Sequence, residues 1–257
     1  QAVFHSPFFP NRSAESYNSF VLRASGQDSQ YTGFKDVLVS WLCQELDLEM
    51  QDYLAATVYI NGDYWGLYHF REKINEEFFA HRTGQPEESV VYLTGNIKWR
   101  NKFRREILSP LSSKDPLDPE SLAWLEQRVD TGSFTDWLLA QIFVNNRDVG
   151  NVRYWRTAAE NSRWRWVLYD TDMALGSTEE DTVSRLLDPE KGNLPDFQQL
   201  FNWLYETPGY RERFLSRASY MYKEVFTTAR IVEGAELFQH RYSQEMEEDR
   251  PRWDITH

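Results

Sequence analysis

The chain has 257 residues, 41% of them hydrophobic and 16% aromatic, which is enough to bury a sizeable core and too apolar for a disordered chain. Its net charge of −12 argues against a broad nucleic-acid footprint, and no apolar run reaches the ~18 residues that a membrane-spanning helix needs. The single cysteine, Cys43, excludes an intrachain disulfide and a cysteine-based zinc site; set in an apolar helical pattern, it reads as a buried structural thiol.

Residues 1–18 mix aromatics with Pro, Ser and Asn and read as an extended, loop-like start. Ser19 to Arg23 is a short strand candidate that stops at A-S-G-Q-D, where Gly26 and Asp28 are turn formers. Phe34, Val37, Leu38, Trp41, Leu42 and Leu46 follow helical spacing and predict a helix over Gly33 to Glu45, followed by a polar connection from Asp47 to Asp52. Ala55 to Arg71 holds Asn61-Gly62 between two β-rich runs, a hairpin signal because a type I′ turn needs positive φ at both central residues. The second strand leads into Glu72-Lys73 and a helix from Asn75 to His81; Val90 to Thr94 is a further strand.

The basic run Lys98 to Arg105 reads either as a solvated helix face or as a phosphate-binding patch. From Pro116 the pattern turns helical. Asp118 starts one helix, through Leu122, Leu125 and Val129. Ser133 is expected to cap the next, which passes Trp137, Leu138 and Ile142 and runs into Asn145. Val152 to Trp155 and Trp164 to Tyr169 form a second hairpin pair, whose tryptophans are expected in the core. Tyr64 and Trp65 are the expected exposed aromatics. Phe197 to Tyr205, Tyr210 to Phe226 and Ile231 to Glu248 are helices. The order predicts an α+β arrangement.

Asn145 to Gly176 carries the chemistry. Asp148 and Asn151 stand three residues apart in a loop between a helix and a strand, and Asp170 and Asp172 flank Thr171 at a strand end. If the strand continues through residue 172, both carboxylates share one face. Acid and amide oxygens suit a hard divalent cation that also holds phosphate. Each piece alone also reads as turn chemistry. Together they match the parts of a phosphoryl-transfer site: a carboxylate that orients the attacking hydroxyl, and an Asn and an Asp that hold Mg²⁺. A typical kinase loop separates its Asp and Asn by about five residues. The same acids suit a metal-dependent phosphohydrolase. The five histidines lack metal-ligand spacing, and no P-loop or G-x-S-x-G is present.

Several stretches carry a resemblance to the CotH family of atypical protein kinases: L-R-A-S-G-Q-D at Leu22 to Asp28, F-K-D at Phe34 to Asp36, V-Y-I-N-G-D-Y-W-G-L-Y-H-F-R-E-K-I at Val58 to Ile74, N-R-D-V-G-N at Asn146 to Asn151, and R-W-V-L-Y-D-T-D-M-A-L-G at Arg165 to Gly176. The resemblance spans nearly the whole chain. It implies a two-lobed atypical protein-kinase-like fold, with a β-rich part over residues 1–95 and a mainly helical part over 96–257. It implies ATP and Mg²⁺ (or Mn²⁺) as cofactors. The partner it implies is a protein with Ser or Thr acceptors, in an extracellular, cell-surface or spore-coat setting. Carried over by position, Asp148 is the catalytic-loop aspartate, Asp170 the metal-binding aspartate, Asn151 a metal-binding or loop-stabilising amide, and Asp172 a further metal acid, an acid behind the ligands or a helix cap. Glu72, Lys73 and Arg23 fall at the nucleotide cleft, Arg23 as a phosphate contact or a structural ion-pair partner. The upstream basic β-rich stretch of the family is not fully contained here, so the phosphate-gripping lysine is left to Lys73 or Lys35, and the chain is expected to be part of a longer protein. The alternative is a non-catalytic pseudokinase or adhesin-type module that binds a protein or glycan.

Overall fold

In the computed structural model, which describes residues 3–9, 16–94, 102–188 and 195–253, Asn61 and Gly62 take φ of 56° and 92°. They close the predicted hairpin of β4 (Tyr53–Ile60) and β5 (Asp63–Glu72). The expected first strand, β3 (Phe20–Arg23), pairs antiparallel with the other edge of β5, giving the order β3-β5-β4. Upstream, β1 (Phe4–His5) and β2 (Ser16–Tyr17) form a small pair of their own. Phe8, Phe9 and Phe20 gather on the Phe70 ring of β5, so this aromatic start covers one face of the sheet.

The predicted helix after the first turn is α1 (Lys35–Leu42). Its first amide is satisfied from a distance: buried Asp28 accepts from Lys35 N at 2.9 Å and from the Thr32 hydroxyl at 2.6 Å. Cys43 is free and buried at the end of α1. After β5 comes α2 (Glu76–Thr83), capped by the Asn75 side chain, and then β6 (Val90–Thr94). A π-helical turn, Arg104–Leu108, runs into α3 (Ser109–Leu111). Within the basic run, Lys102 pairs with Glu106 and Arg104 with Asp196; residues 98–101 lie outside the described residues.

Two helices follow, α4 (Pro119–Glu126) and α5 (Thr131–Phe143). The α5 cap differs from expectation. Asp130, not Ser133, is the N-cap and accepts from Ser133 N at 3.1 Å. The Ser133 hydroxyl instead accepts from Trp166 N, tying α5 to the next sheet. That sheet is β7 (Arg153–Thr157) flanked by β6 and β8 (Arg165–Val167), all antiparallel. Thus β6, which precedes residue 95, pairs with β7, which follows it. Alternate β7 residues serve two cores. Tyr154 packs with Phe103, Trp164 and Trp166 in the main core, while Trp155 stacks on Phe79 of α2 at 4.4 Å between ring centroids. The tryptophans are core, as expected.

The chain ends in α6 (Thr182–Leu187), α7 (Asp196–Glu206), α8 (Tyr210–Tyr220), a π-helical turn at Met221–Val225 and α9 (Thr228–Arg252). Phe238 and Tyr242 of α9 stack on Phe34, and Tyr242 also packs against His69 of β5. Farther along α9, Asp249 accepts from Leu67 N at 2.7 Å. Tyr64 and Trp65 are therefore half-buried rather than exposed: Trp65 meets Trp253 edge-on and the Tyr64 hydroxyl donates to Glu245 O. The architecture is α+β, and among the described residues no helix is long and apolar enough to cross a membrane.

Candidate active site

Helix α5 ends on Val144, and the left-handed backbone of Asn145, φ 48°, turns the chain out of it. Asn146, fully buried, then shapes the loop. Its amide donates to Gln141 Oε1 at 2.8 Å, and its carbonyl oxygen accepts from Asp148 N at 3.2 Å. Asp148 is left half-buried. One carboxylate oxygen accepts from Gly150 N at 3.3 Å and the other from Asn151 Nδ2 at 2.9 Å.

The second loop follows β8. Leu168 N donates to Glu49 O at 2.8 Å, and the β8 ladder ends there, so Asp170 and Asp172 do not share a strand face as the alternating pattern predicted. Instead Asp170 adopts φ 61°, and this kink brings the two acids together. Both contact the same atom, Arg23 Nη2 at the end of β3, with Asp172 Oδ2 at 3.0 Å. Asp172 also accepts from Gln27 N at 3.0 Å. Between them, Thr171 is fully buried and donates its N–H, 2.9 Å, and its hydroxyl, 2.6 Å, to one oxygen of Asp36 on α1. The two loops meet through Asn151, whose Nδ2 also donates to Asp170 Oδ2 at 2.8 Å.

Charge is tightly balanced here. Burial pushes the Asp36 carboxyl up, but the Arg71 and Arg23 charges and the Thr171 hydrogen bonds outweigh it and hold the group below the usual carboxylate range. Burial is the main reason that Asp172 is raised; the Asp170 charge adds to this, against Gln27 N–H and Arg23. Arg71 donates to His69 Nδ1 at 3.1 Å, which selects the neutral ring with its proton on Nε2. Burial, seconded by the Arg71 charge, drops His69 to about 3. The unfolded chain takes up a proton at His69 below pH ~6.5 and the folded chain does not, so stability is full above that pH and falls on acidification towards pH 3. The slope approaches ~1.4 kcal/mol per pH unit. Asp36 acts in the same direction, but only as pH drops below its ordinary value of 3.8. Urea unfolding at pH 7.5 and pH 5 is expected to differ by about 2 kcal/mol from this ring alone, and His69→Gln should remove that difference.

A family model described as CotH kinase protein matches residues 7–116 and 106–257. The chain belongs to that family. No curated protein matches it.

Set in this CotH kinase chain, the residues singled out from sequence divide into two groups. Asp148, Asn151, Asp170, Asp172 and Arg23 form one hydrogen-bonded cluster. Lys73 lines a cleft of about 230 Å³ together with Arg23, Arg71 and Tyr169, between the β3-β5-β4 sheet and the β6-β7-β8 sheet. Glu72 points elsewhere. Its buried carboxylate accepts from Asp52 N at 2.8 Å and from Arg82 Nη2 at 2.7 Å, so it holds α2 against the sheet. Lys35 is engaged by Asp28 at 3.4 Å.

Among the described residues no three His, Cys, Asp or Glu gather as a metal cage. Two carboxylates and an amide nevertheless fit Mg²⁺, which is usually held by one or two carboxylates with phosphate and water completing its shell. Arg23 Nη2 already contacts both carboxylates, so a cation held there would have to share or displace that contact. The Asn151 amide would have to turn its oxygen toward the cation. Two residues read from sequence only as a motif residue and a turn former are partners of the site: Asp36, which grips Thr171, and Gly26. Gly26 has φ 53°, and a Cβ there would lie 2.0 Å from Asp172 Oδ2. Gly26→Ala must therefore displace Asp172 and strain the backbone by about 1–2 kcal/mol; a lowered melting midpoint together with weaker nucleotide-induced stabilisation is the expected outcome.

Proposed function

We propose that this chain is an ATP- and divalent-metal-dependent protein kinase that transfers phosphate to Ser or Thr of a secreted or coat protein, at an extracellular, cell-surface or spore-coat location. The observation that carries this is the meeting of Asp148 and Asp170 on the one Asn151 amide, beside a cleft lined by Arg23 and Lys73. The β3-β5-β4 sheet with α1 would belong to the smaller lobe, and the β6-β7-β8 sheet with the helices from α4 onward to the larger, with the cleft between the two sheets. Asp148 would accept the acceptor hydroxyl's proton as it attacks in line with the γ-phosphate. Asp170, Asp172 and Asn151 would hold the metal, which when bound neutralises phosphate charge. Asp36 fixes the peptide between the two acids, and Arg23, freed from part of its double ion pair, would face phosphate.

Transfer from labelled ATP with Mg²⁺ or Mn²⁺ to a Ser/Thr protein is the direct test, on the full-length protein. Asp170→Ala should abolish both transfer and metal-dependent nucleotide binding; unchanged behaviour of that variant would sink the assignment. The second reading, a pseudokinase or adhesin-type module binding protein or glycan, is favoured by one observation: Arg23 already neutralises both candidate metal carboxylates. A thermal scan separates the two. A ligand that binds only the folded state raises the midpoint by mass action, so no shift at millimolar ATP-Mg favours the binding module.

A further inference from the structure

We propose that Arg153, not a lysine, is the principal grip on the nucleotide's phosphates; this rests on the kinase reading above and assigns the cation that the sequence left open. Arg153 opens β7 and lines the same cleft as Lys73, Arg23 and Arg71. The other two arginines are already matched with acids: Arg23 with Asp170 and Asp172, Arg71 with Asp36. Among the described residues neither Arg153 nor Lys73 has a carboxylate partner. Of these two, Lys73 is exposed and solvated, whereas Arg153 is half-buried.

Arg153 is also held in place. Its guanidinium lies 3.9 Å from the centre of the Tyr169 ring, and Nη1 donates to the Tyr92 hydroxyl. Its Nε is buried without an acceptor. A partly desolvated cation with an unused donor is costly unless an anion meets it. The planar fork of an arginine suits phosphate, and here it needs little ordering because two tyrosines hold it. Tyr169 adjoins Asp170, so the grip sits next to the proposed metal acid. On a chain of net charge −12, a cleft where Arg153 and Lys73 stand without carboxylate partners among the described residues offers positive charge where a polyanion would enter.

Isothermal titration of the full chain with ADP, pyrophosphate and adenosine, in Mg²⁺, tests this. Arg153→Gln is expected to weaken ADP and pyrophosphate by roughly 10- to 100-fold and to leave adenosine unchanged. Arg153→Lys should recover part of the loss, since charge returns without the fork. Tyr92→Phe, which frees the guanidinium but keeps the ring, should weaken ADP by a smaller factor and serves if Arg153→Gln fails to fold. ADP affinity unchanged in Arg153→Gln, or in both Arg153→Lys and Tyr92→Phe, overturns the assignment while leaving the kinase reading standing. Loss of ADP binding in Arg153→Gln from a wild-type chain that transfers no phosphate keeps the assignment and removes the kinase reading. Failure of wild-type protein to bind ADP or pyrophosphate overturns both.

Discussion

Asp148→Asn is expected to lower kcat for phosphate transfer by roughly 10²- to 10⁴-fold while leaving nucleotide affinity within about twofold of wild type. The substitution keeps the shape of the side chain. Its remaining carbonyl oxygen can still accept from Asn151 or from Gly150 N, so the loop has little reason to move. What disappears is the ability to take a proton from an attacking hydroxyl. Asp148 touches neither Arg23 nor the cations of the cleft, so nucleotide binding has no direct route to it. Asp170→Ala differs, because Asp170 is bonded to both Arg23 and Asn151 and belongs to the set proposed to hold the metal. The measurement is a steady-state split of kcat and KM for ATP in both variants. If Asp148→Asn raises KM as steeply as Asp170→Ala, Asp148 is a ligand-holding group, not a base.

Local chemistry was legible, and long-range chemistry was not. The Asn61-Gly62 turn, the strand at Val90 to Thr94 and the helix pattern beginning at Phe34 are each determined by neighbours within a few residues, and each stands where the periodicity placed it. The motifs Asn146 to Asn151 and Arg165 to Gly176 that carry the family resemblance were legible because they are contiguous, and the structure brings Asp148, Asn151, Asp170 and Asp172 together. Asp36 was seen only as part of the F-K-D motif; its role was not legible, for the opposite reason. An acid in the first turn of an apolar helix reads as favourable to the helix dipole, and its partner Thr171 lies 135 residues away. The α5 cap was misplaced because Asp130 and Ser133 are both good capping types, and the choice turned on Ser133 being needed by Trp166. Tyr64 and Trp65 looked exposed because nothing local reveals that the end of α9 lies across them. The convergence of Asp170 and Asp172 could be anticipated, but its cause, a left-handed residue instead of a strand face, could not.

Asp36→Ala is expected to destabilise the chain by about 3–5 kcal/mol and to abolish transfer, though Asp36 lies outside the nucleotide cleft. The stability loss comes from Arg71, which is 3% exposed and, among the described residues, would keep its charge with only the neutral His69 bonded to it. The activity loss has a different origin. Thr171, fully buried, would lose the acceptor of both its N–H and its hydroxyl, leaving the loop's own Ala174 N–H on the Thr171 carbonyl, at 3.0 Å, and no tie from Thr171 to α1 among the described residues. The two effects can be separated with Asp36→Leu/Arg71→Met. Replacing a buried ion pair by apolar side chains of similar volume is often close to neutral, so urea unfolding should show most of the stability restored. Transfer should stay low, because leucine gives Thr171 no acceptor, and metal-dependent ATP affinity should stay weak with it. Recovery of both stability and transfer in the double variant would mean that Asp36 serves only to neutralise Arg71. Recovery of stability without transfer here, but with transfer in Asp36→Asn/Arg71→Met, which keeps an acceptor for Thr171, would make Asp36 a positioning residue for the Asp170–Asp172 loop, acting through Thr171.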